Sequence, residues 1–352
     1  MLKNRSLLIL FSLVCFSQAA RPEAAGTGLQ ISVAGDIVGN FLGTADNRLL
    51  PREGEVVLYA PIDQTWDGAL NLAAHNEDGE YKFEIHELTI GSSRLIPRSR
   101  FKVGQYFLGV GRLNQTHRHD WPFTSAPKVQ TQFLYEEGVN DTGAEYSYLW
   151  PTPFYLDLTL GITNGWTFGH THDEGKGPVL PTHYLRLVTY NDLFLDGGLQ
   201  TGLNYLGRKD SSGNNTSLFG LDLTAKWREA QTLTFLFQSE LWYRIYSPAA
   251  GDVENTIGFY AYPQYGFSPS WSLGVRVDGY SVLNSKDAGG NNVGSFDYGL
   301  VPTFSYKASE FSTIRASYGV KGRLSQGAVS NTEHFLELQA VFILGSHPAH
   351  DF

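Results

Sequence analysis

Two neighbouring stretches decide the fold: FGLDLTAKWR at 219–228 and LTFLFQSELWYRI at 233–245. In the first, Phe219, Leu221, Leu223, Ala225 and Trp227 alternate with Asp222, Thr224, Lys226 and Arg228. In the second, Leu233, Phe235, Phe237, Leu241 and Ile245 alternate with Thr234, Gln238, Glu240 and Arg244. A period of two is the signature of a strand with one apolar and one polar face. The same pattern sets Phe154, Leu156, Leu158, Leu160 and Ile162 against Asp157 and Thr159, and Trp271, Leu273, Val275 and Val277 against Arg276 and Asp278. It returns at Leu336, Leu338, Ala340, Phe342 and Leu344, opposite Glu337 and Gln339.

A soluble sandwich also alternates, so segment length carries the argument further. These segments commonly run for 11 to 15 residues. Soluble strands average about 5–6 residues, whereas a tilted membrane strand needs about 9–11. Full charges in mid-strand suit a water-filled interior. The pattern predicts sixteen strands, at 29–42, 53–62, 66–75, 80–91, 98–110, 142–150, 153–163, 182–192, 194–207, 216–229, 231–246, 254–265, 270–283, 294–308, 311–323 and 332–344. The first four alternate poorly, so fourteen to eighteen strands fit the pattern. Connections after the odd-numbered strands are mostly long and polar and those after the even-numbered ones short, the pattern of outer-membrane barrels. Trp66, Trp150, Trp227 and Trp271 fall beside short turns, where an aromatic girdle meets the lipid–water boundary. The expected fold is therefore all-β: a single transmembrane antiparallel barrel with short periplasmic turns and long extracellular loops.

Composition agrees with this reading. Of 352 residues, 17% are charged and 14% aromatic, with 38 glycines. Soluble proteins carry about 25% charged residues. This balance argues against a coiled coil, a disordered chain or a basic nucleic-acid binder. Mean hydropathy is −0.21, and the repeated apolar stretches of about 20 residues that helical membrane proteins require do not occur. Residues 1–19 read as a signal peptide: Lys3 and Arg5, an apolar run from Leu7 to Phe16, then Ser17-Gln18-Ala19. Residues 20–352 are expected to form the barrel, exported to the bacterial outer membrane. Without Lys3 and Arg5 the balance is 24 basic against 35 acidic residues, or −11. Cys15, the only cysteine, lies inside the leader, so no disulfide or thiolate site is expected in the mature chain.

The inward register places Lys82, Lys102, Arg186, Lys226, Arg244, Arg276 and Arg315 on the lumen wall, with Asp157, Asp222, Glu240, Asp278 and Glu337 as acidic counterparts. These residues are expected to orient solutes along the path. The connection 111–141 is too long for a plain loop. It holds Asn114, His117, Arg118, His119, Asp120 and Trp121 and is expected to fold inward as a constriction. His117 with His119, and His170 with His172, raise a zinc reading, because imidazole with nearby carboxylate suits that ion. His-x-His in a loop fixes no geometry, so solvated histidines stand beside that reading. No His-x-Ser pair lies on a strand face, and no enzyme is expected. About ten residues separate the leader from the first strand, too few for a plug domain.

Several stretches carry a family resemblance. Phe101-Lys102-Val103-Gly104-Gln105 runs through Gly111-Arg112-Leu113-Asn114 to His117-Arg118-His119 and Pro122-Phe123. Glu136-Glu137-Gly138-Val139 precedes Leu149-Trp150-Pro151-Thr152-Pro153-Phe154-Tyr155-Leu156. Gly220-Leu221-Asp222-Leu223-Thr224, Lys226-Trp227, Ser309-Glu310-Phe311-Ser312 with Arg315, and the closing 345–352 complete the set. On these residues the chain resembles porin-like proteobacterial outer-membrane barrels, distantly similar to phosphate-selective porins. Members are often labelled zinc-regulated or TonB-dependent receptors. The resemblance implies an outer-membrane barrel among lipids, inserted by the barrel-assembly machinery, and hints at zinc. The function expected is passive diffusion of small polar or ionic solutes, with possible homo-oligomers. A zinc-linked uptake or binding protein is the alternative, and a barrel enzyme a third class. Phe352 is a terminal aromatic, but 345–352 do not continue the apolar face of the last strand, and a short periplasmic peg is expected there.

Overall fold

A computed structural model describes residues 28–42, 48–77, 79–168, 171–172, 177–230, 232–285, 290, 293–325 and 328–345. The expected leader, 1–19, and the tail 346–352 lie outside the described residues. The strands are β1 (Gln30–Phe41), β2 (Arg48–Pro61), β3 (Asp67–Glu77), β4 (Glu80–Ser92), β5 (Ser99–Phe107), β6 (Asn140–Leu149) and β7 (Tyr155–Thr163). Two short pieces follow, β8 (Thr167–Phe168) and β9 (Thr171–His172). Then come β10 (Leu180–Leu193), β11 (Gly197–Lys209), β12 (Asn215–Glu229), β13 (Thr232–Ser247) and β14 (Glu254–Gly266). The last are β15 (Trp271–Val282), β16 (Ser295–Ser309), β17 (Ser312–Ser325) and β18 (Ala328–Gly345). Apart from β8 and β9, which pair only with each other, the strands form one closed antiparallel barrel of sixteen. Closure runs from Ser32 opposite Gly345 to Phe41 opposite Leu336, leaving no sheet edge.

The alternation lands as expected. Asp222, Glu240, Arg276 and Gln339 are buried inside, while Leu160, Phe219, Leu241, Leu273 and Leu338 lie open on the outer surface. A contiguous apolar exterior on this scale exceeds the few hundred Å² that a soluble monomer tolerates. A bilayer around it removes that conflict, and the fold is that of an outer-membrane barrel. No helix among the described residues is long and apolar enough to cross a membrane. Aromatic rings meet near the tight turns, the last two of the following pairs across neighbouring strands. Trp66 meets Phe101 at 6.5 Å, Trp227 meets Phe235 at 5.5 Å and Trp271 meets Tyr306 at 4.3 Å between ring centroids.

Three sequence expectations need correction. First, β5 ends at Phe107 rather than residue 110, so the long connection is 108–139. Second, the length contrast between rims is narrower than expected, because strands continue into segments read as loops. β2 starts at Arg48, and β17 and β18 are separated by only two residues. Third, the interior carries a packed apolar cluster. Tyr184, Leu206, Leu218, Leu236, Trp242, Tyr260 and Tyr262 on the wall pack with Leu108, Leu113, Trp121, Phe123, Val129 and Phe133 of the 108–139 segment.

The weak alternation at the start has a local cause. β1–β2 pairing steps from Asp36–Glu53 to Ile37–Pro51, leaving Arg52 without a partner across the ladder. β3–β4 pairing steps from Asn71–Glu87 to Leu72–Ile85, leaving His86 similarly placed. Such bulges insert one residue and re-aim side chains. Here each turns two consecutive residues inward: Arg52 with Glu53, and His86 with Glu87.

Candidate functional site

The 108–139 segment is tied at its base by one side chain. Asn114 Nδ2 donates to the carbonyls of Leu108 (2.8 Å) and Val139 (3.2 Å), and its Oδ1 accepts from the Val139 amide (2.6 Å). Gly111 has φ +63°, and a Cβ there would come 2.6 Å from Glu240 Oε2 and 2.8 Å from the Trp242 ring. Only glycine serves both needs. Its amide donates to Asn204 Oδ1 at 2.8 Å, and the Leu113 amide donates to Glu240 Oε1 at 2.8 Å. Two 3-10 turns, Leu113–Gln115 and Arg118–Asp120, and a helix α1 (Lys128–Phe133) then carry the chain across the barrel. Trp121 is buried and donates from Nε1 to the Thr116 carbonyl at 2.8 Å.

On the far wall, Arg52 donates to the Thr124 carbonyl at 2.8 Å, and Thr124 Oγ1 donates to Glu337 Oε2 at 2.5 Å. Arg276 donates to the Ser125 carbonyl, lies 3.0 Å from Asp278 and covers the Phe123 ring. Tyr262 donates its hydroxyl to the Pro122 carbonyl at 3.0 Å, and Arg244 donates to the Gln132 carbonyl at 3.2 Å. Arg315 donates to Gln339 at 2.9 Å. Thus Glu240, Arg244, Arg276 and Glu337, read from sequence as solute-orienting, grip the segment directly.

Other expected lumen residues line open space. A cavity of about 700 Å³ lies toward the tight-turn rim, bounded by Arg100, Lys102, Glu145, Asp157 and Arg186 of the wall and by Arg112, Gln115 and Thr116 of the segment. Opposite charges face one another there: Lys102 lies 3.2 Å from Glu145 and Arg100 lies 3.4 Å from Asp157. Arg186 donates to Asp222 at 2.9 Å, behind the cavity. Lys226 sits on the inward face opposite Gly198. Lys82, toward the other rim, sits opposite His75.

The histidines gather in a different way from the sequence expectation. Four imidazoles form a file from the wall into the segment, with centroids 4.7 Å apart for His75–His86, 6.1 Å for His86–His117 and 5.7 Å for His117–His119. Phe107 meets both His86 and His117 edge-on. Glu55 accepts from both loop histidines, His117 Nδ1 at 3.1 Å and His119 Nδ1 at 3.0 Å, and from Asn71 Nδ2 at 2.5 Å. His119 Nε2 reaches Asp120 at 3.1 Å, and Arg118 reaches Glu136 at 2.6 Å. Burial works against the charged form of His117, but the Glu55 charge and hydrogen bond outweigh it and lift the imidazole to about 9. His170 lies outside the described residues. His172 lies on β9, and only its backbone is described.

Sequence reasoning missed Glu53, Glu55, His75 and His86. His75 stands directly across the ladder from Glu53, and the bulge brings in His86. The lone histidines at 75 and 86 carried no motif. Their only sequence signal was the broken alternation of the first strands.

No protein-family model matches the chain. An uncharacterized protein of Aquifex aeolicus (strain VF5) is 27% identical over 334 residues, covering 85% of this chain and 69% of that protein. Among solved structures, the loop-L8 deletion mutant of OmpT from Vibrio cholerae is similar with a TM-score of 0.64, at 9% identity over 90% of this chain and 99% of that one. The anion-selective porin from Comamonas acidovorans gives 0.61 at 8% identity, with 90% and 99% covered. The outer-membrane channel DcaP of Acinetobacter baumannii gives 0.59 at 12% identity, with 90% and 96% covered. At these identities the likeness is one of fold.

Proposed function

We propose that the barrel is a passive channel for small polar or ionic solutes, with the 108–139 segment setting its width. The observation that carries this reading is the 700 Å³ cavity bounded by paired charges, with the folded-in segment as its floor. Lys102 pairs with Glu145, Arg100 with Asp157 and Arg186 with Asp222 on one stretch of wall, a polar, locally neutralised lining that suits small polar or ionic solutes. The near balance of these charges supports weak rather than steep ion selectivity. Two barrels of similar fold are named for transport, one an outer-membrane channel and the other an anion-selective porin; this supports the class of function, not a solute. The phosphate-selective and zinc-regulated proteins that the sequence resembles suggest two narrower readings. The histidine file favours a metal-linked role, but on residues other than the expected His170 and His172.

The test is single-channel recording of the refolded barrel in a planar bilayer under a salt gradient. Discrete openings with a small reversal potential are expected. A protein that assembles yet conducts no ions over long recordings would sink the channel reading.

A further inference from the structure

We infer that Glu53, His75 and His86 form a binding site for one divalent transition-metal ion of the zinc class. The three residues come from adjacent strands β2, β3 and β4, and all are buried. One ligand atom from each lies within 4.8 Å of the others, and the two Nε2 atoms of His75 and His86 stand 2.7 Å apart. Zinc takes nitrogen and oxygen ligands at about 2.0–2.2 Å, which sets ligand atoms roughly 3.3 Å from one another in a tetrahedron. The two Nε2 atoms share a hydrogen bond at 2.7 Å, and an ion that displaces the shared proton draws them apart by about 0.6 Å to reach that spacing.

Three further observations point to a ligand. Glu53 Oε2 and His86 Nδ1 are buried and meet no hydrogen-bond partner among the described residues. An unsatisfied polar atom of this kind costs about 1–3 kcal/mol, which coordination of the carboxylate offsets. Glu137 of the long segment lies 3.2 Å from His75 Nδ1. A carboxylate on the outer nitrogen of a ligating imidazole is the arrangement that directs the inner nitrogen to a metal. Finally, Glu53 and Glu55 crowd one wall beside Asp36, and a divalent cation relieves that repulsion. The neighbouring triad Glu55, His86 and His117 is also close enough. Glu55, however, already accepts from Asn71, His117 and His119, so that triad is a closed ion-pair network. Two histidines and one glutamate leave a fourth position, the pattern of an open zinc site. Through Glu137 the ion ties the long segment to the wall, whether or not the barrel conducts.

The experiment titrates the refolded full-length barrel with cobalt(II), reading visible absorption, and then displaces it with zinc. One equivalent with the intense bands of a four-coordinate ion is expected. His75→Ala and His86→Ala each weaken binding by more than about 100-fold, beyond the 10–100-fold of an outer-sphere change such as Glu137→Gln. His334→Ala, on β18, leaves it unchanged. X-ray absorption of the zinc-loaded wild-type barrel reads two imidazoles without any variant. No stoichiometric binding by the assembled wild type, an absorption spectrum without two imidazoles, or unchanged affinity in both histidine variants overturns the site.

Discussion

Asn114 shows how much a single side chain does in this interior. It bonds both ends of a segment that spans the barrel, satisfying the Leu108 and Val139 carbonyls and the Val139 amide. All of these groups are buried, so none can turn to water instead. Asn114→Ala removes three hydrogen bonds and orphans the Val139 amide, while the Leu108 and Val139 carbonyls keep their bonds from the Val110 and Leu108 amides, a cost of about 1–3 kcal/mol. The loss falls on the segment, not on the wall. Hydrogen exchange at the Val139 amide should accelerate by at least tenfold while amides in β12 and β13 keep wild-type protection. Equal acceleration at both places would mean that segment and wall open as one unit.

At the scale of elements, each strand faces two solvents, and substitutions on its two sides fail for different reasons. Leu160 of β7 points to lipid, and Leu160→Arg places a guanidinium in hydrocarbon at about 2–4 kcal/mol near the midplane. Trp242 of β13 points inward, packed over Gly111 and Gly220, and donates from Nε1 to Glu240 at 2.9 Å. Trp242→Ala opens a cavity and costs about 3–5 kcal/mol. Urea unfolding from lipid vesicles should report the Leu160 change as a lower midpoint for the wall. The Trp242 change should appear first as protease cleavage within 108–139, with a smaller shift in midpoint. This two-sided logic is why β7, β12, β13, β15 and β18 were legible in the sequence: an unbroken period of two states which residues meet lipid. Such a period holds its meaning only at constant phase, and the bulges at Arg52 and His86 break that phase. Glu53 and His86 were therefore invisible as site residues, although the pattern around them was visibly irregular. The apolar inner cluster escaped for a related reason. Leu236 and Trp242 sit at polar-face positions, and only the incoming segment explains an apolar side chain there.

For the whole molecule, the decisive fact is closure. Each of the sixteen barrel strands is paired on both sides, so the wall owes none of its ladder hydrogen bonds to the segment inside. The segment instead adds contacts from within: at Glu240 and Asn204 near its base, at Glu55 through two histidines, and at Glu337 and Arg276 across the lumen. A wall complete in itself and an insert held by side chains should be separable. Replacing residues 112–137 with a short Gly/Ser linker should therefore leave assembly intact, seen as a barrel that keeps its compact, heat-modifiable mobility in detergent gels. The same variant should conduct several-fold more than wild type, because the floor of the cavity is gone and the wall charges no longer meet Gln115, Thr124 and Ser125. It should also lose the outer-sphere support of Glu137 for the metal site, with cobalt affinity falling about 10–100-fold. Conductance equal to wild type would place the narrowest point elsewhere, at a rim. Failure to assemble would show that the apolar cluster around Trp121 and Trp242 is needed to close the barrel, making the insert part of the folding core.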